Sequence, residues 1–150
     1  MIRVFLILIL LLLNGCGYEL INKVNDNDFK IIKFDLNGND EINKILAENF
    51  RIFENTENFL KSLTIKSKSE LTKRITSKDK SGISSGYEIE ITISISVREG
   101  DNTYKDKTFN KNSKYNATGS QFELKQYEEI LIKNMTSQII FEINSFLKTI

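Results

Sequence analysis

The pattern of apolar and polar positions changes period several times along the chain, and each change marks an element. After Arg3 an unbroken apolar run extends from Val4 to Leu13. It has the length of a signal-peptide hydrophobic region and falls short of the ~20 residues a membrane-spanning helix needs. Residues 17–28, GYELINKVNDND, are polar and mostly aperiodic and read as a tether. In FKIIKFDL, 29–36, the positions Ile32, Phe34 and Leu36 fall on one face, which predicts a strand. NGND at 37–40 breaks it and supplies Asn and Asp as helix N-cap candidates. Behind it Ile42, Ile45, Leu46, Phe50 and Phe53 recur at helical spacing, predicting an amphipathic helix of about four turns. Asp40 and Glu41 fall in its first turn, where the helix dipole favours negative charge.

From Leu63 the period becomes two. Leu63, Ile65, Leu71 and Ile75 share a phase with Ser67, Ser69 and Lys73, so a long strand is predicted, its poorly hydrophobic middle pointing to a bulge or a sheet edge. SKDKSG, 77–82, is a turn. YEIEITISISVR, 87–98, alternates throughout: Tyr87, Ile89, Ile91, Ile93, Ile95 and Val97 face a core, and Glu88, Glu90, Thr92, Ser94, Ser96 and Arg98 face water. EGDN, 99–102, closes a hairpin, and TYKDKTFN returns as a weaker fourth strand. KNSKYNATGS, 111–120, reads as a polar loop. From about Gln121 to Lys148 a long helix carries Tyr127, Leu131, Met135, Ile139, Ile143 and Phe146 on one stripe. The expected fold is α+β: a two-layer sandwich of about four strands in a mainly antiparallel sheet, with two helices on one face, in the order β-α-β-β-β-α.

Composition narrows the chemistry. The chain has one cysteine, Cys16, and no histidine, proline or tryptophan. Without histidine the commonest general base and metal ligand is missing, which speaks against zinc, iron–sulfur and Cys–His chemistry. A lone cysteine forms no internal disulfide. Here it closes LNGC, Leu13 to Cys16, after the apolar run, a pattern similar to the bacterial lipobox, whose cysteine is acylated and becomes the first residue of the mature protein. Several acyl chains on one cysteine make a stable anchor where one chain binds only marginally. Gly17 rather than an aspartate follows the cysteine, which favours the outer membrane, and the expected location is its periplasmic face. The expected organisation is a signal peptide over 1–15, a lipidated N-terminus and tether over 16–28, and one domain over 29–150. Arg3 leaves with the signal, so 20 basic residues balance the 20 acidic ones, and a neutral domain argues against nucleic acid as a partner.

Several motifs weigh little against their structural explanations. GISSG, 82–86, matches the nucleophile-elbow pattern but lies between two strands in a chain without histidine, and reads as a hairpin loop. Glu88 and Glu90 share a strand face like paired catalytic carboxylates, yet that face is the solvated one. Glu128 and Glu129 read as helix-surface charges, and the apolar helix stripes as core rather than a lipid pocket. Lys66, Lys68, Lys73, Arg74, Lys78 and Lys80 concentrate around one strand and its turn, either as a solvated face or as a site for an anionic partner such as lipid phosphates.

The lipobox closing in GCGY, the β-α-β-β-β-α order, the charged turn before SGYEIEITISISV and the terminal EEILIKNMTSQIIFEINSFL together resemble the LPS-assembly lipoproteins, LptE, over essentially the whole chain. The chain lacks the family's frequent prolines and stops at Ile150 without a tail. The resemblance implies a non-enzymatic protein without cofactors, which plugs and stabilises the LptD-type outer-membrane β-barrel and assists LPS delivery. It further implies that basic residues near the second-to-third-strand hairpin and the last helix approach the lipid A phosphates. The nearest positions here are Lys78, Lys80 and Lys125. An alternative of another class is a lipid-anchored periplasmic carrier of a lipid or small ligand, with an apolar cavity between helices and sheet.

Overall fold

The computed structural model describes residues 29–50, 61–101, 104–117 and 120–150. The signal peptide, Cys16 and the tether expected before Phe29 lie outside them, as do Phe53 and Asn102. The order is β1 (Phe29–Gly38), α1 (Asp40–Phe50), β2 (Lys61–Lys78), β3 (Ser84–Glu99), β4 (Lys105–Asn116) and α2 (Gln121–Leu147). The strands form one sheet in the order β1-β2-β3-β4. β2, β3 and β4 pair antiparallel through hairpins, whereas β1 runs parallel to β2. A helix separates β1 from β2, and a helical crossover is what a parallel pair requires. The α+β class, the element order and the mainly antiparallel sheet are as expected.

The strand β1 departs from its predicted facing. A register shift between Ile31 and Lys33 inserts an extra residue, Ile32, which is exposed. Phe29 and Ile31 before the bulge are buried, and Phe34 and Leu36 after it pack against the core. A period-two reading carries one phase along a strand and misses such a slip. At the end of β1, Gly38 takes φ +104° and turns the chain into α1. Asn39 is the N-cap residue: its Oδ1 accepts the Ile42 N–H at 3.0 Å. Ile42, Leu46 and Phe50 form the buried face of α1, with the Phe50 ring edge-on to Phe34 at 5.3 Å.

The polar middle of β2 has a packing reason. Ser67 and Ser69 are buried on the core face. Ser69 Oγ donates to Asn43 Oδ1 at 2.7 Å and lies 3.3 Å from the carbonyl oxygens of Asn37 and Asn39. A small hydroxyl therefore lets the first turn of α1 sit close on the sheet. Up to Ser69, β2 is an interior strand between β1 and β3; beyond it, β3 is its sole strand partner among the described residues. The predicted edge is thus the second half of the strand, and register shifts bracket Ser77 near its end.

All five apolar positions from Ile89 to Val97 on β3 are buried and meet Ile132, Met135, Ile139, Ile140, Ile143 and Leu147 of α2 in one core. The strand β4 runs to Asn116, so residues 111–116 are strand where a polar loop was expected. Backbone pairing with β3 from Gly86 to Ile91 holds this segment, and pairing needs no apolar side chain. Its core-facing positions include Lys107, which lies over the Phe109 and Phe146 rings at 5.2 and 4.9 Å, and Lys111, paired with Glu142 at 2.6 Å. Inward lysines on an edge strand oppose pairing with another chain.

The helix α2 starts with a full capping box. Ser120 Oγ accepts the Glu123 N–H, and Glu123 accepts the Ser120 N–H at 2.7 Å. Its stripe is rotated from the predicted one: Met135, Ile139 and Ile143 are buried, but Ile132, Thr136, Ile140 and Leu147 join them, and Tyr127 is exposed. No residue from Gln121 to Leu131 is fully buried. Among the described residues no helix is long and apolar enough to cross a membrane.

Candidate functional site

The β2–β3 hairpin ends in a tightly bonded turn. Asp79 N–H donates to the Ile83 carbonyl at 2.8 Å, and Gly82 N–H to the Asp79 carbonyl at 3.0 Å. Asp79 Oδ1 accepts from the N–H groups of Ser81 and Ile83 at 2.8 and 2.9 Å. Gly82 supplies the positive φ, +81°, that the turn requires. Lys78 stands opposite Ser84, and Lys80 is in the turn itself. The far end of β4 reaches the same level, since Asn116 pairs with Gly86 and Ala117 N–H donates to the Ser85 carbonyl at 2.9 Å. α2 begins at Gln121, four residues after Ala117, and carries Lys125 exposed in its second turn. Lys78, Lys80 and Lys125 are therefore at one end of the domain, all exposed, and none has an ion-pair partner among the described residues.

The remaining basic residues of the sequence cluster are engaged elsewhere. Lys66 lies over the Tyr104 ring at 4.9 Å, and Lys68 pairs with Glu70 at 2.6 Å. Arg74 Nε donates to Glu88 at 2.8 Å, and its Nη2 to Glu90 at 3.5 Å. Glu88 is a correction to the sequence reading. It is buried although it points to the uncovered face, because it stands opposite Arg74 on β2 and Lys114 on β4. The Arg74 hydrogen bond holds its carboxyl below the usual carboxylate range. This is a structural ion pair on a sheet surface.

Beside the hairpin, on the helix-covered face, lies an arrangement that sequence reasoning missed. Tyr87 stacks on Tyr115 at 5.7 Å, and Tyr115 meets Tyr127 at 5.6 Å. Glu128 Oε1 accepts from both Lys73 Nζ at 2.6 Å and Tyr115 Oη at 2.7 Å, and Lys73 also lies over the Tyr87 ring at 4.6 Å. Burial pushes the Tyr115 phenol well above its ordinary value, and the adjacent Glu128 carboxylate adds to the shift, so the hydroxyl stays a donor. Tyr115 fell in the predicted loop and Glu128 on a predicted solvated face. The legible signal was that Tyr87 and Lys73 share the core phase of their strands. These side chains fasten the part of α2 that precedes its buried stripe. Glu128→Ala is expected to cost about 1–3 kcal/mol, the usual penalty for orphaning hydrogen-bond partners. In hydrogen exchange, amides of 121–131 should gain exchange more than those of 132–147; equal change in both halves would refute the fastening role.

The face of the sheet opposite the helices is polar across β2, β3 and β4. Asn110 Nδ2 donates to Glu90 at 2.7 Å and Thr92 at 3.1 Å, Ser94 and Thr108 hydroxyls lie 2.9 Å apart, and Ser96 donates to Asp106. Cross-strand ladders of this kind stabilise a sheet surface that remains in contact with water.

No family model and no curated protein matches the chain. Solved structures do. Rare lipoprotein B from Shewanella oneidensis matches with a TM-score of 0.59 at 15% identity, over 78% of this chain and 94% of that one. Lipoprotein B from Nitrosomonas europaea matches at 0.54 and 16% identity, over 85% and 88%. A minor lipoprotein from Acinetobacter baumannii matches at 0.50 and 12%, over 75% and 90%. These three neighbours are lipoproteins, in accord with the lipoprotein resemblance read from the sequence, and the chain has their fold.

Proposed function

We propose that the protein is a non-enzymatic outer-membrane lipoprotein, anchored on the periplasmic side through acylated Cys16, whose domain plugs and stabilises an LptD-type β-barrel and assists LPS assembly. The observation that carries this reading is the uncovered sheet face, polar and hydrogen-bonded from β2 to β4. Such a wall suits the wet, polar lumen of a large barrel, where its side chains keep water or polar partners. The fold shared with lipoprotein structures over most of both chains supports the same reading. Lys78, Lys80 and Lys125, without an ion-pair partner among the described residues, are the positions suited to lipid A phosphates. Among the described residues, Leu46, Ile91, Ile93, Ile139 and Ile143 between helices and sheet belong to one core, which does not favour the carrier alternative.

Affinity purification of the C-terminally tagged chain from its native membrane in mild detergent tests the plug role. A large β-barrel protein in stoichiometric amount, retained at high salt, is the expected companion. A monomer without it would sink the reading. For the lysines, the double variant Lys78→Glu/Lys80→Glu is expected to fold normally, since both side chains are exposed, and to reduce surface LPS. Normal surface LPS in that strain would remove the lysine role and leave the plug role standing.

A further inference from the structure

The helix α2 turns its buried stripe to the sheet and leaves the opposite face in solvent, and that face is not uniformly polar. Ile130 is 59% exposed and Phe141 72%. Single exposed apolar residues are ordinary on protein surfaces. These two stand on one line of the helix, about 16 Å apart at the α-helical rise. Asn134 and Ser137 lie between them on the same line, both exposed. At steps of three or four residues the line continues to Gln126 and Glu123 on one side. On the other it continues to Ser145 and the C-cap residue Lys148, and all four of these are exposed.

This line complements its own reversal. Two copies of α2 laid antiparallel, about a two-fold axis level with the midpoint of Asn134 and Ser137, bring Ile130 of each level with Phe141 of the other. The same operation sets Asn134 against Ser137, Gln126 against Ser145 and Glu123 against Lys148, and each contact occurs twice. The outermost pair is of opposite charge. Lys148 has no ion-pair partner among the described residues, and Glu123 holds Ser120 through one oxygen, Oε2. Ser137 and Ser145 donate back to their own helix, to the carbonyls of Lys133 and Phe141 at 2.9 and 3.0 Å. Their hydroxyls are already satisfied, so they lose little on leaving water, and their small size lets a second helix come close. Glu129 and Glu142 would also be level with each other, but they lie on opposite flanks of the line, and Glu142 pairs with Lys111 at 2.6 Å.

We infer that the outer face of α2 is the contact surface for a second copy of this chain, the two helices antiparallel and Ile130 of each packed on Phe141 of the other. Reciprocity selects this occupant: acid meets base and apolar meets apolar only when the facing surface is the same line reversed. Burial of the four apolar side chains drives the contact, and the Asn134–Ser137 centre resists sliding, as a polar residue in a helical seam does. A contact one helix long supports a reversible dimer of roughly micromolar strength. The inference is independent of the plug role, since it concerns the chain while no barrel covers α2.

The test is sedimentation equilibrium of the full chain in a density-matched mild detergent, on the wild type and on two single variants, Phe141→Asp and Ile130→Lys. Both positions are exposed, so both variants should keep the fold, which an unchanged far-UV circular dichroism spectrum checks. The wild type is expected to pass from one chain to two as its concentration rises through roughly the micromolar range. Each variant alone should associate at least about tenfold more weakly, because its dimer sets a charge against an apolar side chain twice. An equimolar mixture of the two should recover association. In the mixed pair the new aspartate faces the new lysine, and the second Ile130–Phe141 contact is intact. Wild-type chain that stays monomeric at about 100 μM would overturn the inference. So would single variants that associate as the wild type does, or a mixture that recovers nothing. In the membrane purification above, a barrel companion lost from both single variants and not regained on their co-expression would assign this face to the barrel and likewise overturn it. A barrel companion beside a monomeric free chain removes this inference alone, and a dimer without a barrel removes the plug role alone.

Discussion

Gly38→Ala is expected to destabilise the domain by about 3 kcal/mol or more, combining left-handed strain with a backbone overlap. Gly38 has φ +104°, and a Cβ there would stand 1.9 Å from the carbonyl oxygen of Ser69 and 2.9 Å from its carbonyl carbon and its nitrogen. The obstacle is interior-strand backbone, which no rotamer change can move aside. The same carbonyl accepts the Asn39 N–H at 3.1 Å, and Ser69 Oγ reaches Asn43. Relieving the overlap would therefore loosen the N-cap of α1 together with the last β1–β2 pair. Urea unfolding should show a lower midpoint with an unchanged slope, the mark of a stability change without a change of unfolded state. Gly82→Ala is the control: it too has positive φ, but its Cβ would meet nothing within 4 Å, so only the conformational strain applies. Equal midpoints for the two variants would remove the steric account of the β1–α1 junction.

Ile93→Ala should have an effect of the same order, about 2–5 kcal/mol, through lost burial and the cavity left behind. Ile93 is fully buried at the middle of β3, flanked on the core face by Ser69 of β2 and Phe109 of β4. On the Ser69 side its neighbour is small and committed to α1, so the surroundings cannot close over the gap. Set against the ~5–15 kcal/mol typical of a whole domain, either change threatens folding at growth temperature. Ile93→Val, which removes one methylene, should cost only about 0.5–1.5 kcal/mol, and thermal unfolding of the pair would check the order. A small loss in the alanine variant would mean that the core repacks around β3.

Where a strand was regular and had a covered and an open face, alternation in the sequence carried the whole result. The strand β3 was legible residue by residue, because six core-phase positions in a row leave one way to face. Helix spacing located α1 and α2 as elements, although the buried stripe of α2 is rotated from the expected one. The misses share a cause. The Ile32 bulge, the strand continuation over 111–116 and the burial of Glu88 all arise from backbone pairing or cross-strand neighbours, which no local period records. The candidate site behaved the same way. Lys78 and Lys80 were legible as a basic turn, but which lysines stay free depends on where the carboxylates lie. Glu128 answers Lys73 across 55 residues, and Arg74 reaches Glu88 and Glu90 across the hairpin.

By itself the sequence determined the element order, the two-layer α+β class, the missing histidine chemistry and the lipobox-like LNGC with its single cysteine. Each is a local property, readable from period, composition or a short motif. Tertiary structure alone decided that β1 lies parallel on β2, that Ser69 and Gly38 form the seat of α1, and that Tyr115, Lys73 and Glu128 fasten α2. Those relations join residues far apart in the chain, and their energies exist only once the sheet has brought the partners within contact.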